Sequence, residues 1–527
     1  MVLNNLSESI MISDLVDTSA KTYKDRTAFI YENESYTFEE IHQMSFNMAK
    51  NLLSIGLKKG DVIAVQLPNS LEFVITHLAA ARVGLIFNPL SPTYRKKELT
   101  YMLGHCDTKS FITIDSWKGF SHGDLAIDLK DDLENLEHVI ITGDDNGSGI
   151  SFSQMTANNQ QVSSEELEQN KPTEDEPAII MFTSGTDSNP KAVLHTYETF
   201  VPAHLLNGKE YQVNEKDTIL SLTPLCHMFS LPMIIIGLTY GTRHHLVSEY
   251  KLENIMFILE KELVSFLIAA PAHLIDMIHH IRSENVSGLP LRLILTGGSK
   301  IPSEMVKDLR KLVGCSVGAQ WGMTEICAGT FTRPDDDESL TWETVGKASP
   351  SGEVVVLDEN HEFLPAGEIG EIGFKGVCLF KEYYKNALDT QESLTEGGFY
   401  LTGDRGWLDE NGYLHFVGRT KDTINRGGLK FHASEIEEVL QMHPKIQQAA
   451  LVSVPDPRLG ERACAFVSPR DDHSIELEEI KEFLLKNGFA KYKLPEYMEI
   501  RGSLPTTPSG KIMKGPLREE VESLINQ

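Results

Sequence analysis

Hydroxyls, a glycine and a lysine follow one another in Thr183-Ser184-Gly185-Thr186-Asp187-Ser188-Asn189-Pro190-Lys191, directly after the apolar run Ala178-Ile179-Ile180-Met181-Phe182. An apolar strand feeding such a loop suits phosphate, because backbone N–H groups, hydroxyl donors and an ammonium can converge on one polyanion. The Walker A pattern is absent: no glycine stands just before Lys191, and Ala192 occupies the place of the required Ser or Thr. An ordinary P-loop NTPase is therefore disfavoured. Taken alone, the loop reads equally well as a Ser/Thr-rich turn capping a helix that begins near Thr196.

Further groups with chemical potential lie downstream. Trp321-Gly322-Met323-Thr324-Glu325 offers a flat aromatic that could cover a base, a hydroxyl and a carboxylate suited to magnesium. Thr402-Gly403-Asp404 by itself is a turn, and Lys511 by itself is a solvated charge near an acidic terminus. The preceding Thr507-Pro508-Ser509-Gly510 nevertheless makes a rigid, turn-forming arm for that lysine. His227, within Thr223-Pro224-Leu225-Cys226-His227-Met228-Phe229, has the ordinary reading of a hydrogen-bonded core histidine.

In order, the phosphate loop, Trp321 to Glu325, Thr402-Gly403-Asp404, Gly418-Arg419-Thr420-Lys421-Asp422 and Pro505-Thr506-Thr507-Pro508-Ser509-Gly510-Lys511 resemble the motif series of the adenylate-forming superfamily. That superfamily includes acyl-CoA synthetases, firefly luciferase and nonribosomal-peptide adenylation domains. The resemblance runs from Tyr36-Thr37-Phe38-Glu39-Glu40 to Lys511, essentially the whole chain. It implies an ATP/AMP site made of Thr183, Ser184, Gly185, Thr186, Lys191, Gly298, Ser299, Gln320, Trp321, Gly322, Thr324, Asp404, Arg419 and Lys511. Lys511, Thr186 and Glu325 inherit catalytic roles, with Mg²⁺ on Glu325 and the ribose on Asp404 and Arg419.

The same resemblance implies an acyl pocket at His227, Met228, Gly297 and Gly322, a pantetheine tunnel at Gly427 and Gly428, and a hinge at Lys421. Two departures stand out: Asp187-Ser188 replaces the family's second Thr-Gly pair, and Ala192 replaces a glycine. The retained Thr183, Ser184, Gly185, Thr186 and Lys191 suggest an altered loop with its function kept.

Elements able to position these groups are visible in the texture of the chain. Its 527 residues exceed one core, and 41% hydrophobic with 24% charged residues fits a globular enzyme. Phe38 to Leu53 reads as helix, Val62 to Leu67 as strand and Leu71 to Val83 as helix, an alternation that predicts an α/β layered fold. Phe266 to Ala270 and Leu291 to Leu295 repeat it, whereas the polar stretch Gly143 to Glu176 reads as a surface excursion.

From about Glu353 short strands and tight turns predict a β-rich subdomain, including a hairpin around Asp409-Glu410-Asn411-Gly412. After Arg419 a new pattern follows: helix Ser434 to Met442, strands Gln448 to Val454 and Ala463 to Val467, and helix Leu477 to Asn487. The expected division is an N-terminal adenylation domain over 1–418, with the β-rich part at about 345–418, and a small mobile α+β C-terminal lid over 419–527.

A formal charge of −28 argues against nonspecific nucleic-acid or anionic-membrane binding, so an anionic ligand needs locally placed cations. Six scattered cysteines without CxxC spacing read as reduced thiols. With neither a basic n-region nor an apolar run of spanning length, the expectation is a cytoplasmic protein, monomer or homodimer.

The implied reaction takes a carboxylic acid and ATP to acyl-AMP and pyrophosphate, and then the acyl group to CoA. Gly322, where acetate-specific relatives carry a second bulky aromatic, points to an acid larger than acetate: medium-chain, alicyclic or aryl. Met228 stands where dihydroxybenzoate-activating relatives have an amide, which disfavours a hydroxybenzoate. A stand-alone enzyme that loads a carrier protein is the alternative, and a noncatalytic nucleotide-binding relative is a third reading.

Overall fold

A computed structural model describes residues 10–143, 149–158, 161–183, 190–298, 301–470, 473–507 and 510–525. Two large, mostly parallel sheets with helices packed against them carry the N-terminal part. The first runs in the order Lys347–Ala348, Cys327–Phe331, Ser316–Met323, Leu293–Gly297, Phe266–Ala269, Thr218–Ser221, Arg243–His245, Thr27–Tyr31, Glu34–Thr37. The second is ordered Glu382–Tyr383, Ala192–Thr196, Pro177–Phe182, Ile86–Pro89, Val62–Gln66, Ser110–Ile114, His138–Thr142, Ile150–Ser151.

Parallel strands buried on both faces need unbroken apolar runs, and Val62 to Gln66 is buried at all five positions. The helix over Phe38–Ser54 starts where Thr37 and Glu40 satisfy each other's backbone N–H groups in a capping box. Its apolar face, including Ile41, Met48 and Leu52, enters the core shared by the two large sheets.

A four-stranded antiparallel sheet follows, Gly352–Leu357, Gly370–Gly376, Tyr400–Leu408 and Leu414–Arg419. The last sheet begins at Thr423–Arg426 and is dominated by the long hairpin Ile446–Asp456 and Gly460–Pro469. Helices Ala433–Gln441 and Leu477–Lys486 cover one face of it through Ile436, Leu440, Ile480 and Leu484. The architecture is a large α/β N-terminal domain with a small C-terminal domain, as the alternation of strand and helix predicts.

The stretch from Gly143 to Glu176 departs from expectation. It carries strand Ile150–Ser151 and helices Phe152–Thr156 and Ser164–Gln169, and buries Phe152, Met155, Val162 and Leu167. Its few apolar residues are spaced to face inward, and the Asn51 side chain pins the segment by donating to the Met155 and Ala157 carbonyls at 2.9 Å. Among the described residues no helix is long and apolar enough to cross a membrane, and all six cysteines are buried and unpaired.

Candidate active site

A cavity of about 590 Å³ opens where the two large sheets, the antiparallel sheet and the C-terminal domain meet. Thr183, Lys191, His227, Met228, Gly297, Gly298, Gln320, Gly322, Thr324, Glu325, Arg419, Lys421 and Lys511 all line it. Trp321 and Asp404 line an adjoining cavity of about 560 Å³, which shares Gly298, Gln320, Gly322, Arg419 and Lys511 with the first. Ser184, Gly185, Thr186 and Ser299 lie outside the described residues.

The loop that carries the hydroxyls joins two antiparallel strands. Phe182 pairs with Ala192, and the Thr183 N–H donates to the Lys191 carbonyl at 2.9 Å, so the loop's two ends are closed on each other. Helix Tyr197–Glu210 follows one strand later, capped at Thr196. Lys191 Nζ lies 2.8 Å from Asp389 Oδ2 and 4.6 Å from the centre of the Tyr383 ring.

Gly297 and Gly322 answer to the backbone before any ligand. A Cβ on Gly297 would sit 2.6 Å from the Gln320 carbonyl oxygen, and one on Gly322 would sit 2.2 Å from that of Cys327. Gly298, at φ +80° with open space around its Cα, is a conformational requirement of the turn leaving strand Leu293–Gly297.

Trp321 lines the adjoining cavity and is also a hydrogen-bond donor. It is 6% exposed, and its Nε1–H donates to Asp404 Oδ2 at 2.8 Å. Asp404 and Arg419 are cross-strand partners, with Arg419 Nε 3.2 Å from Oδ1. That contact lacks hydrogen-bond geometry, which leaves Oδ1 a buried acceptor without a hydrogen-bond donor among the described residues. Such an oxygen, on a residue that lines the adjoining cavity, has the chemistry to accept hydroxyl donors.

Glu325 is almost dry, and burial pushes its carboxyl above the usual range against the pull of its hydrogen bonds. Tyr383 donates to its Oε1 at 2.9 Å, and Tyr400 stands 3.0 Å from the Tyr383 hydroxyl. Since the Tyr383 proton is spent on the carboxylate, Tyr400 donates to Tyr383 in a short relay. Both phenols are held protonated by burial and by the neighbouring carboxylate.

The Glu325 oxygens make no ion pair with a described lysine or arginine, and a hard divalent cation fits such a donor. Among the described residues no group of three His, Cys, Asp or Glu could hold a metal unaided, so phosphate oxygens and water would complete its shell.

His195 holds the backbone beside this carboxylate. Its Nε2 donates to the Thr324 carbonyl at 2.8 Å, which assigns Nδ1 as acceptor from Thr199 at 3.1 Å. Burial lowers its pKa to about 4, and the ring stays neutral. His227 is likewise neutral, lowered by burial to about 4, with Nε2 buried and without a hydrogen-bond partner among the described residues.

From the C-terminal domain comes Lys511, on a turn closed by the Thr507 N–H to the Lys511 carbonyl (2.6 Å) and the Lys511 N–H to Thr507 Oγ1 (3.1 Å). Gly510 takes φ +83° in that turn. Burial first, and the Arg419 charge second, lower the ammonium to about 8, against the opposing pull of Asp404 and Asp422. Lys421 lies in the turn Thr420–Asp422; the next residue, Asp422, is ion-paired to Arg518 and to Lys514 (3.5 Å).

Gly427 and Gly428 are not brought to the cavity. They form an exposed turn, φ +62° and +88°, held by the Gly427 N–H to the Leu459 carbonyl (2.6 Å) and the Gly428 N–H to Asn425 Oδ1 (3.1 Å). Tyr383, Tyr400, His195 and Asp389 were missed by sequence reasoning. Only Tyr400 carried a local signal, two residues ahead of Thr402-Gly403-Asp404 on one strand.

This fold and this set of groups define an adenylate-forming enzyme. The chain belongs to the AMP-binding enzyme family: its model matches residues 16–384, and that of the AMP-binding enzyme C-terminal domain matches residues 435–511. It is 30% identical over 523 residues to a medium-chain fatty-acid–CoA ligase of Escherichia coli strain K12, covering 98% of this chain and 91% of that one. A 2,3-dihydroxybenzoate-AMP ligase of Bacillus subtilis strain 168 is 29% identical over 515 residues, covering 97% and 94%.

Among solved structures, ATP-bound MatB from Rhodopseudomonas palustris superposes with a TM-score of 0.86 at 23% identity, covering 98% of this chain and all (100%) of the other. The anthranilate CoA ligase AuaEII in complex with anthranoyl-AMP gives 0.87 at 20% identity, covering 98% of each. At these identities the two structures establish the fold alone.

Proposed function

We propose that the chain activates a carboxylic acid with ATP to an acyl adenylate and then passes the acyl group to the thiol of CoA. The observation that carries this reading is the convergence of Lys511, from the C-terminal domain, with Lys191, Glu325 and Arg419 around one cavity. In the first step a carboxylate oxygen bonds to the α-phosphorus, the α–β bridging bond breaks and pyrophosphate leaves. In the second the thiol sulfur bonds to the carbonyl carbon, AMP departs with the former carboxylate oxygen, and the thiol proton passes to solvent.

Asp404 Oδ1, lacking a donor, accepts the ribose hydroxyls, with Arg419 beside it. Lys511 lies between the acid and the α-phosphate and opposes the charge that builds there, and Lys191 meets the outer phosphates. Glu325 would hold magnesium, whose charge offsets that of the phosphates. Tyr383 and Tyr400 orient that carboxylate by their hydroxyl relay.

Phe182, Met228 and Phe229 in the lining suit an acid with an apolar body, of medium-chain, alicyclic or aryl type. The similarity to the E. coli medium-chain ligase supports CoA as acceptor. Comparable similarity to the B. subtilis AMP ligase favours, as a second reading, delivery to a carrier protein. Retention of Glu325, Asp404, Arg419 and Lys511 opposes a noncatalytic role.

The test is pyrophosphate release across a panel of carboxylic acids, with and without CoA, for the natural chain and Lys511→Ala. Acid-dependent release that needs Lys511, with acyl-CoA formed on adding CoA, supports the synthetase. Release without acyl-CoA moves the acceptor to a carrier, and no release with any acid defeats adenylation.

A further inference from the structure

Lys191 already has an anionic partner. The short helix Ala387–Glu392 sets Asp389 Oδ2 2.8 Å from Lys191 Nζ, and both side chains keep about a third of their surface in water (37% and 33%). The approach is fixed by backbone: Val193 pairs with Tyr383 at the sheet edge, and the Tyr384 N–H donates to the Ala192 carbonyl at 2.7 Å. Thr390 ties the helix to the same edge by accepting from the Tyr383 N–H at 2.9 Å. The ammonium is thus held over the Tyr383 ring and beside a carboxylate, on a side chain that lines the cavity.

A polyphosphate entering the cavity competes with Asp389 for that ammonium. A partly exposed pair is weak and screened, so the exchange takes a modest part of the binding free energy, and that cost exists only while both the lysine and the carboxylate are present. We propose that Asp389 is a resident counter-ion of Lys191, a positioning residue that the outer phosphates must displace and that returns to the lysine as pyrophosphate leaves. Its effect is to loosen the hold on ATP and on pyrophosphate. This rests on the reading of Lys191 as a phosphate ligand.

Asp389→Asn retains the shape of the side chain and the N–H donation from residue 389 to Asn386 Oδ1 (3.2 Å), while removing the charge. With ATP and the best acid of the panel, the expected result is a fall of about two- to fivefold in both the KM for ATP and the inhibition constant of pyrophosphate. Lys191→Ala should raise both constants, and adding Asp389→Asn to it should produce no fall.

A rise in KM for Asp389→Asn would make the carboxylate a strut for Lys191 and overturn the proposal. So would unchanged constants beside a Lys191→Ala variant that loses affinity. If Lys191→Ala itself changes neither constant, the phosphate reading of Lys191 fails first and takes the counter-ion with it. Thermal melting of each variant separates these outcomes from misfolding.

Discussion

Replacing Trp321 by Phe tests the assignment of its indole to Asp404. The substitution keeps a ring in a site only 6% exposed and removes a donor, at 2.8 Å, that holds Oδ2 of a 4%-exposed carboxylate. A hydrogen bond to a charged group contributes about 1.5–3 kcal/mol. If half of that loss falls on the ligand-bound state through misorientation of Oδ1, nucleotide affinity drops roughly three- to twelvefold at about 1.4 kcal/mol per tenfold. The remainder appears as a lower melting temperature. Calorimetric titration with AMP and with its 2′,3′-dideoxy analogue reads the effect directly. The variant should lose affinity for AMP and retain that for the analogue, because only the former uses Asp404. Equal loss for both nucleotides would mean that Trp321 supports the base, and the reasoning would be wrong.

Three other outcomes are expected. Burial lowers Lys511 from its ordinary 10.5 to about 8, so its ammonium is lost as pH rises through that value; kcat/KM for pyrophosphate release should fall over the same window, and Lys511→Arg should move the descending limb upward. By linkage, a depressed lysine pKa favours folding above 10.5, and this contribution disappears as pH falls through about 8, opposite in sense to the activity profile. Gly322→Ala would bring a Cβ to 2.2 Å from the Cys327 carbonyl, and denaturant titration should find a loss of about 1–3 kcal/mol; a mere change in acid preference at full stability would contradict this. Gly428→Ala, strained at φ +88° but remote from the cavity, should leave pyrophosphate release intact and slow acyl-CoA formation; equal damage to both steps would speak against a separate role.

Motifs that keep their chemistry within a few consecutive residues were legible from the chain. The strand before Thr183, the turn that presents Lys511 and the cross-strand pair of Asp404 with Arg419 each lie in or between such stretches. Legibility failed where partners are joined only by sheet edges. Strand Glu382–Tyr383 attaches to Ala192–Thr196, and this pairing brings Tyr383 and Asp389 to Lys191. Trp321 was visible as a residue but not as a donor, since composition cannot distinguish use of a ring face from use of its N–H. Likewise the sequence offered Gly322 as a matter of pocket size and gave no sign that the Cys327 carbonyl also leaves no room for a side chain there. The polar run before strand Pro177–Phe182 concealed four buried apolar residues, Phe152, Met155, Val162 and Leu167, among its charges.

The link between the two domains is anchored on both sides. Arg419 ends a strand and is paired with Asp404, while Asp422 is bound to Lys514 and Arg518 of the C-terminal helix, and Arg518 also donates to the Lys421 carbonyl at 3.3 Å. Thr420 and Lys421 alone lie between the anchors, so any swing of the small domain must pass through their torsions, as through a universal joint with fixed yokes. Because one yoke is paired with the Asp404 carboxylate, any ligand that engages that carboxylate bears mechanically on the joint.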